Sequence, residues 1–228
     1  LNTSMPMQDE VLGIIDIIKR ELSDWYVEEK VIELADYGIP QSRKRLITIA
    51  TRKKEHKLLL DKFSTLFPPP THSKHETMFT SRWVSVRDII GNLEILDGKS
   101  KRKSDLLPLH YVARLDDKKY FWVSSTPEGK SAFDNQCNEC DCRDNITHKS
   151  NKNDEGVNRS SRDTPIYCYN CGALLPRPVV TKGGEVRLMR GFTSAYKRMD
   201  WDSPSSALTR NFPYACSDNK IHPDQNRT

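Results

Sequence analysis

The chain has 228 residues, 36% of them hydrophobic, and a formal net charge of +5; its mean hydropathy is −0.70. That length suits one domain or a domain plus a smaller module, and the polar balance predicts one modest core with long solvated loops. No apolar run is long enough to span a bilayer, and Leu1-Asn2-Thr3-Ser4 lacks the basic and apolar regions of a secretory signal; the mild positive excess fits a nucleic-acid partner without requiring one.

Taken in chain order, Gln8 to Leu22 reads as an amphipathic helix, with Val11, Ile14, Ile15, Ile18 and Leu22 on one face and Pro6 at its entry. Trp25 to Leu34 is rich in β-branched and aromatic residues and predicts a strand. Tyr37-Gly38-Ile39-Pro40 is a turn, and Arg45 to Ala50 predicts a buried strand after it. Lys53 to Phe63 predicts a short helix, halted before Pro68-Pro69-Pro70. The order helix, strand, turn, strand, helix matches one end of an α/β sheet.

Trp83 to Leu93 predicts a short helix in which Ser85 and Asp88 have capping-box spacing and Val86, Ile89, Ile90 and Leu93 form the apolar side. Lys99 to Lys103 is a basic loop, and Tyr120, Phe121 and Trp122 are assigned to the core. Arg143 to Thr164 has almost no apolar residues and predicts a mobile excursion. Val179 to Met189 predicts a hairpin turning at Lys182-Gly183-Gly184-Glu185. Asn145-Ile146-Thr147 and Asn158-Arg159-Ser160 match the glycosylation pattern and are read as chance. Leu1 is an unusual first residue, which suggests a piece of a longer protein.

Five of the six cysteines fall in two knots, Cys137-Asn138-Glu139-Cys140 with Cys142, and Cys168-Tyr169-Asn170-Cys171. Two Cys-x-x-Cys turns can present four thiolates to one tetrahedral zinc, at about 2.3 Å from each sulfur. The metal ligands are therefore assigned as Cys137, Cys140, Cys168 and Cys171, with Cys142 or His148 able to replace one of them. A closed four-thiolate site has no open position for water, so the zinc is structural. Reduced thiols or a disulfide are the alternatives, and the missing secretory signal disfavours the disulfide. Cys216 stands alone.

At Tyr37-Gly38-Ile39-Pro40-Gln41-Ser42-Arg43-Lys44-Arg45 the chain resembles the Gln-x-Arg-x-Arg block of the DNA cytosine-5 methyltransferases, which precedes a buried strand of the catalytic domain. Phe67-Pro68-Pro69-Pro70-Thr71-His72-Ser73 and Trp83-Val84-Ser85-Val86-Arg87-Asp88-Ile89-Ile90 are similar to the family's next segments. Tyr196-Lys197-Arg198-Met199-Asp200-Trp201-Asp202-Ser203-Pro204 and His222-Pro223-Asp224-Gln225-Asn226-Arg227 resemble its return toward the catalytic domain. Five matches in the family's order make chance a poor account. The family's glycine-rich cofactor loop, Pro-Cys nucleophile and Glu-Asn-Val block have no counterpart here. Ala207 stands where many members carry a phosphate-touching threonine, and Thr209 and Arg210 are possible substitutes.

The resemblance implies an α/β fold class: the end of a Rossmann-like methyltransferase sheet followed by a small, loop-rich α+β target recognition domain bearing the zinc. Residues 1–80 would belong to the catalytic domain, 81–195 to target recognition with the knot at 137–171, and 196–228 to the return segment. It implies a fragment of a bacterial restriction-modification enzyme that moves a methyl group from S-adenosylmethionine to C5 of a flipped cytosine. Such an enzyme works on double-stranded DNA in the cytoplasm, beside the nucleoid, and this chain would need the missing catalytic portion as its partner. Arg45 would reach the flipped base, with Arg43 and Gln41 organising the pocket floor. Lys101, Arg102, Lys103, Arg187, Arg190, Arg198, Thr209 and Arg210 would contact DNA, with Lys99, Lys130 and Arg143 as further candidates. A stand-alone zinc-dependent DNA-binding module and a zinc protein-interaction module are the rival readings.

Overall fold

The computed structural model describes residues 4–7, 10–147, 150–152, 158–160, 164–191, 194–211, 213–217 and 220–228. The chain divides into two compact units: residues 1–38 with 43–82, and residues 39–42 with 83–228. The expected return segment 196–228 therefore packs with residues 83–195. Elements are mixed α and β, and the sheets among the described residues are all two-stranded.

The first unit begins with an antiparallel pair, β1 (Ser4–Met7) and β2 (Glu10–Gly13), and then α1 (Ile14–Glu21). The helix expected from Gln8 thus starts later. Gly13 is extended at φ −66 and ψ 144 and marks the switch from strand to helix. Val11 is β-branched and pairs with Pro6, where the ring's missing N–H is tolerated in an edge position. β3 (Tyr26–Glu33) and β5 (Lys44–Thr51), both predicted as strands, pair antiparallel over their whole length. Val31 is 57% exposed and Ile47 37% exposed. The strand expected to be buried is half-covered, because two strands cannot enclose both of their own faces.

A 3-10 turn at Leu34–Tyr37 ends in Gly38 at φ +80. A side chain there would meet the His72 ring at 2.9 Å, so glycine is required for both conformation and space. α2 (Lys54–Phe63) follows, closed by Ser64 at φ 56, and β6 (His72–Ser73) pairs in parallel with β7 (Ser81–Arg82). Glu28 fastens the loop after α2: its carboxylate accepts from the Thr65 hydroxyl at 2.6 Å and from the Leu66 amide at 2.5 Å.

The second unit takes in β4 (Gln41–Ser42) and then α3 (Val86–Ile90), which opens on the expected capping box. The Ser85 hydroxyl accepts from the Asp88 amide, and the Asp88 carboxylate accepts from the Ser85 amide. Val86 is buried but Ile89 is 55% exposed, so the predicted apolar side is only partly used. α4 (Asp117–Ser124), capped by Asp116, was not expected. It places Trp122 and Val123 beside Leu115, Ala132, Phe133, Ala195, Tyr196, Ala215 and Ile221 in the main core. The core assignment thus holds for Trp122, while Phe121 is 43% exposed.

β8 (Ser150–Lys152) and β9 (Asn158–Ser160) form a short antiparallel pair within the polar excursion, whose other residues lie partly outside the described ones. β10 (Val179–Lys182) and β11 (Glu185–Leu188) make the predicted hairpin, with Gly183 at φ 62 and Gly184 at φ 81 in its turn. β12 (Ser205–Ser206) returns to pair in parallel with β4.

Candidate zinc centre and nucleic-acid face

The two cysteine turns have the same build. Cys137 donates its amide to the Cys142 carbonyl, and Cys168 donates to the Ala173 carbonyl, each across five residues. The residue after each second cysteine is left-handed, Asp141 at φ 51 and Gly172 at φ 74. Such tight turns aim backbone N–H groups and two sulfurs at one point. Cys137 and Cys171 sulfurs lie 3.6 Å apart, Cys140 and Cys168 sulfurs 3.7 Å apart, and all four within 4.8 Å of one another. A tetrahedron with zinc at about 2.3 Å from each sulfur has edges of about 3.8 Å, so the four thiols fit the ion.

The surroundings favour thiolate. The Asn170 amide donates to Cys140 at 3.5 Å and the Asn145 amide to Cys168 at 3.7 Å. Burial opposes charge on Cys168, yet the Cys171 and Asn170 amides outweigh it and hold the thiol at about 6. Cys140 is likewise lowered, by Asn170 first. For Cys171 the Ala173 amide pulls downward, but the neighbouring Cys140 and burial prevail and push it up to about 12. Four crowded sulfurs cannot all ionise without a cation, which a bound Zn2+ would supply.

Cys142 stands outside the group of four; its carbonyl closes the first knuckle and its thiol faces the Tyr169 hydroxyl. His148 lies outside the described residues. Asn145, missed as a functional residue, ties the two knuckles together: it accepts from the Tyr169 amide at 3.1 Å and its own amide N–H reaches the Gln136 side chain at 3.0 Å. It is 4% exposed, which agrees with treating its glycosylation pattern as chance.

The Gln-x-Arg-x-Arg residues are divided between the units. Gln41 lies in β4, opposite Ser205, and the Ser205 amide donates to the Pro40 carbonyl at 3.1 Å. Thus the start of the block lies beside the segment that runs on to Ala207, Thr209 and Arg210. Arg43 and Arg45 belong to the first unit; the Arg43 amide donates to Glu33 at 2.5 Å, and Arg45, paired with Ile32, is exposed and donates to the Lys44 carbonyl at 2.7 Å.

The expected DNA contacts separate sharply. Arg102, Lys103, Arg187, Arg190, Thr209 and Arg210 are exposed. Lys101 is held by Glu94 and by Asp105 at 3.3 Å, and Lys99 by Asp117 at 2.6 Å, so their charges are already matched. Arg198 is corrected. It is 3% exposed, and its guanidinium donates to the carbonyls of Val123, Thr126, His222 and Gln225 and to the Asn226 side chain. Every donor direction is spent inside the fold, and none is left for a phosphate. Burial lowers its pKa to about 10, which still leaves it charged.

The model of the C-5 cytosine-specific DNA methylase family matches residues 13–212. The chain belongs to this family. It is a family of DNA-modifying enzymes whose methyl donor is S-adenosylmethionine. The chain is also similar to the Type II methyltransferase M1.HgaI of Avibacterium volantium, at 24% identity over 224 residues, which are 98% of this chain and 45% of that protein. It therefore spans less than half the length of this relative. No solved structure matches it. Among the described residues no helix is long and apolar enough to cross a membrane.

Proposed function

We propose that this chain is the target-recognising part of a restriction-modification cytosine-5 methyltransferase, carrying the rim of the base pocket but neither the nucleophile nor the methyl-donor site. The complete enzyme flips a cytosine from double-stranded DNA and methylates its C5. None of the six cysteines follows a proline, so the covalent step belongs to the missing catalytic portion, and the chain alone is inactive. The end of a Rossmann-like sheet is assigned to the first unit, and sequence reading to the second.

The observation that carries this reading is the pairing of Gln41 and Ser42 with Ser205 and Ser206. It brings the start of the Gln-x-Arg-x-Arg block alongside the segment that runs on to Ala207, Thr209 and Arg210. Arg43, half-buried, and Arg45, exposed on β5, follow in the chain, and their guanidinium groups suit a carbonyl oxygen and a phosphate. Arg102, Lys103, Arg187, Arg190, Thr209 and Arg210 supply the DNA contacts, and zinc fixes the knuckles of the recognition unit. The cytoplasm, beside the nucleoid, is the setting such an enzyme requires.

In the complete enzyme, Arg45→Ala is expected to depress methylation strongly while the methylated sequence stays the same. Wild-type methylation by a folded Arg45→Ala enzyme refutes the pocket assignment. Incorporation of labelled methyl groups by this chain alone, above a boiled control, refutes the fragment reading.

A further inference from the structure

We propose that a cavity beside the first zinc knuckle is a binding site for a phosphate group carried on a nucleotide. The cavity is an open cleft of about 580 Å³ lined by Ser125, Lys130, Asp134, Gln136, Arg143 and Thr147, among others. That volume lies within the roughly 300–1,000 Å³ of small-molecule sites and exceeds what a bare phosphate needs. Gln136 and Arg143 flank the first knuckle in the chain, so that knuckle positions one side of the cavity.

Part of the lining is already committed. The Gln136 amide donates to the Asp134 carbonyl at 3.1 Å and the Asn145 carbonyl at 3.2 Å, and its oxygen accepts from the Asn145 amide. The Ser125 hydroxyl donates to the Phe121 carbonyl at 2.8 Å and accepts from Asn138 at 2.8 Å. These groups give shape rather than ligand contacts. Apart from the Asp134 carboxylate and the unpartnered Asn135 Oδ1, what is left over is cationic or a hydroxyl. Lys130 and Thr147 make no side-chain hydrogen bond or ion pair among the described residues. Arg143 spends one nitrogen on Asp141 at 2.9 Å, in a pair exposed by 64% and 82% that a stronger anion can displace.

A third positive group stands behind the lining. Arg177 is completely buried; its Nε donates to the carbonyl of the lining residue Asn135 at 2.8 Å, and its Nη1 to the carbonyls of Ile146 and Pro165. Its Nη2 has no partner, and no carboxylate forms an ion pair with it among the described residues. Three cations therefore act on a cavity whose lining includes one carboxylate, Asp134. Donors without acceptors suit phosphate oxygens, and the spare volume suits the attached nucleoside. In a DNA-modifying family the source is a DNA strand, and for that source the inference rests on the function proposed above; a free nucleotide carries the same chemistry.

The test uses the zinc-loaded 228-residue chain. Titration calorimetry with dCMP, inorganic phosphate and deoxycytidine is set beside anisotropy with a labelled duplex over a range of salt. dCMP is expected to bind and deoxycytidine not to, with dCMP binding lost in Lys130→Ala and Arg143→Ala and partly restored in Lys130→Arg. If the source is a strand, duplex competes with dCMP, and each alanine variant lowers the salt slope by about 1. If the source is a free nucleotide, dCMP binds but duplex neither competes nor responds to the variants. The site is overturned if neither dCMP nor phosphate binds, or if both alanine variants, folded and zinc-loaded, bind dCMP like the wild type. A chain that binds duplex yet ignores both substitutions and dCMP loses this site and keeps its proposed function.

Discussion

Arg198→Ala separates a buried clamp from a DNA contact. The guanidinium joins the end of α4 to the C-terminal segment: Nε donates to Thr126 at 2.6 Å, Nη2 to Val123 at 2.8 Å and Asn226 at 2.7 Å, and Nη1 to His222 at 2.7 Å and Gln225 at 2.5 Å. Helix-terminal carbonyls have no partner within their own helix, and a cation there also meets the negative end of the helix dipole. Truncation orphans three acceptors, the Thr126 and His222 carbonyls and Asn226 Oδ1, since the Val123 and Gln225 carbonyls still accept the Thr126 and Arg227 amides. Each buried acceptor left unmade costs about 1–3 kcal/mol, so the three cost roughly 3–9 kcal/mol. At about 2–4 °C per kcal/mol for a domain of this size, the melting point falls by about 6–36 °C. Arg198→Lys recovers only part, since one ammonium cannot span both groups of acceptors. The assay is thermal melting followed by fluorescence of buried Trp122, with duplex affinity measured well below the transition. A variant that melts with the wild type but loses about one unit of salt slope would falsify the clamp and restore Arg198 to the DNA face.

Zinc should be present at one ion per chain, and Cys168→Ser or chelation should remove it and lower the melting point, because binding energy at a structural site is folding energy; elemental analysis together with melting checks both. In the complete enzyme Arg45→Ala should cost roughly 2–4 kcal/mol of transition-state stabilisation, about 30- to 1,000-fold in methylation rate, with Arg45→Lys intermediate. His222 is held neutral, its pKa lowered to about 3 by burial first and then by Arg227 and Arg198. The unfolded chain binds that proton near pH 6.5 and the folded chain does not, so stability is full above pH 6.5 and declines as pH falls toward 3, by up to about 1.4 kcal/mol per pH unit. Urea midpoints at pH 5 and pH 7 should converge in His222→Gln; an unchanged gap would mean that other groups carry the acid sensitivity.

Local signals were legible where local chemistry decides the structure. Ser85 with Asp88, Gly183 with Gly184, and the two Cys-x-x-Cys turns each fix a short stretch by their own hydrogen bonds or left-handed angles. β3 and β5 were legible because β-branched runs flank a turn that only glycine can close. α1 was drawn too long because helical spacing at Val11 cannot reveal that the residue pairs across to Pro6. α4 was missed although Asp116 caps it, since its apolar residues, Tyr120 to Val123, run consecutively instead of recurring at helical spacing. Burial of β5 was overstated for a related reason: an apolar run states what a strand can bury, whereas its neighbours determine what it does bury.

The arginines show why residue type alone could not assign roles. Arg45, Arg143, Arg177 and Arg198 have the same side chain, and family order placed Arg198 among the DNA contacts. What distinguishes them is the count of nearby acceptors. Arg198 meets five, four of them backbone carbonyls, within a single pocket. Arg177 meets three carbonyls and keeps one nitrogen unspent. Among the described residues Arg45 meets the carbonyl of its chain neighbour, and Arg143 one exposed carboxylate. A guanidinium whose donors are saturated by carbonyls holds the fold, because breaking those bonds costs more than one new phosphate contact returns. One whose donors stay open can take a ligand at little cost to the fold. By this ordering the exposed head of Arg45 is the member open to a ligand, as the proposed base pocket needs, and Arg198 is the member that keeps the C-terminal segment fastened to the end of α4.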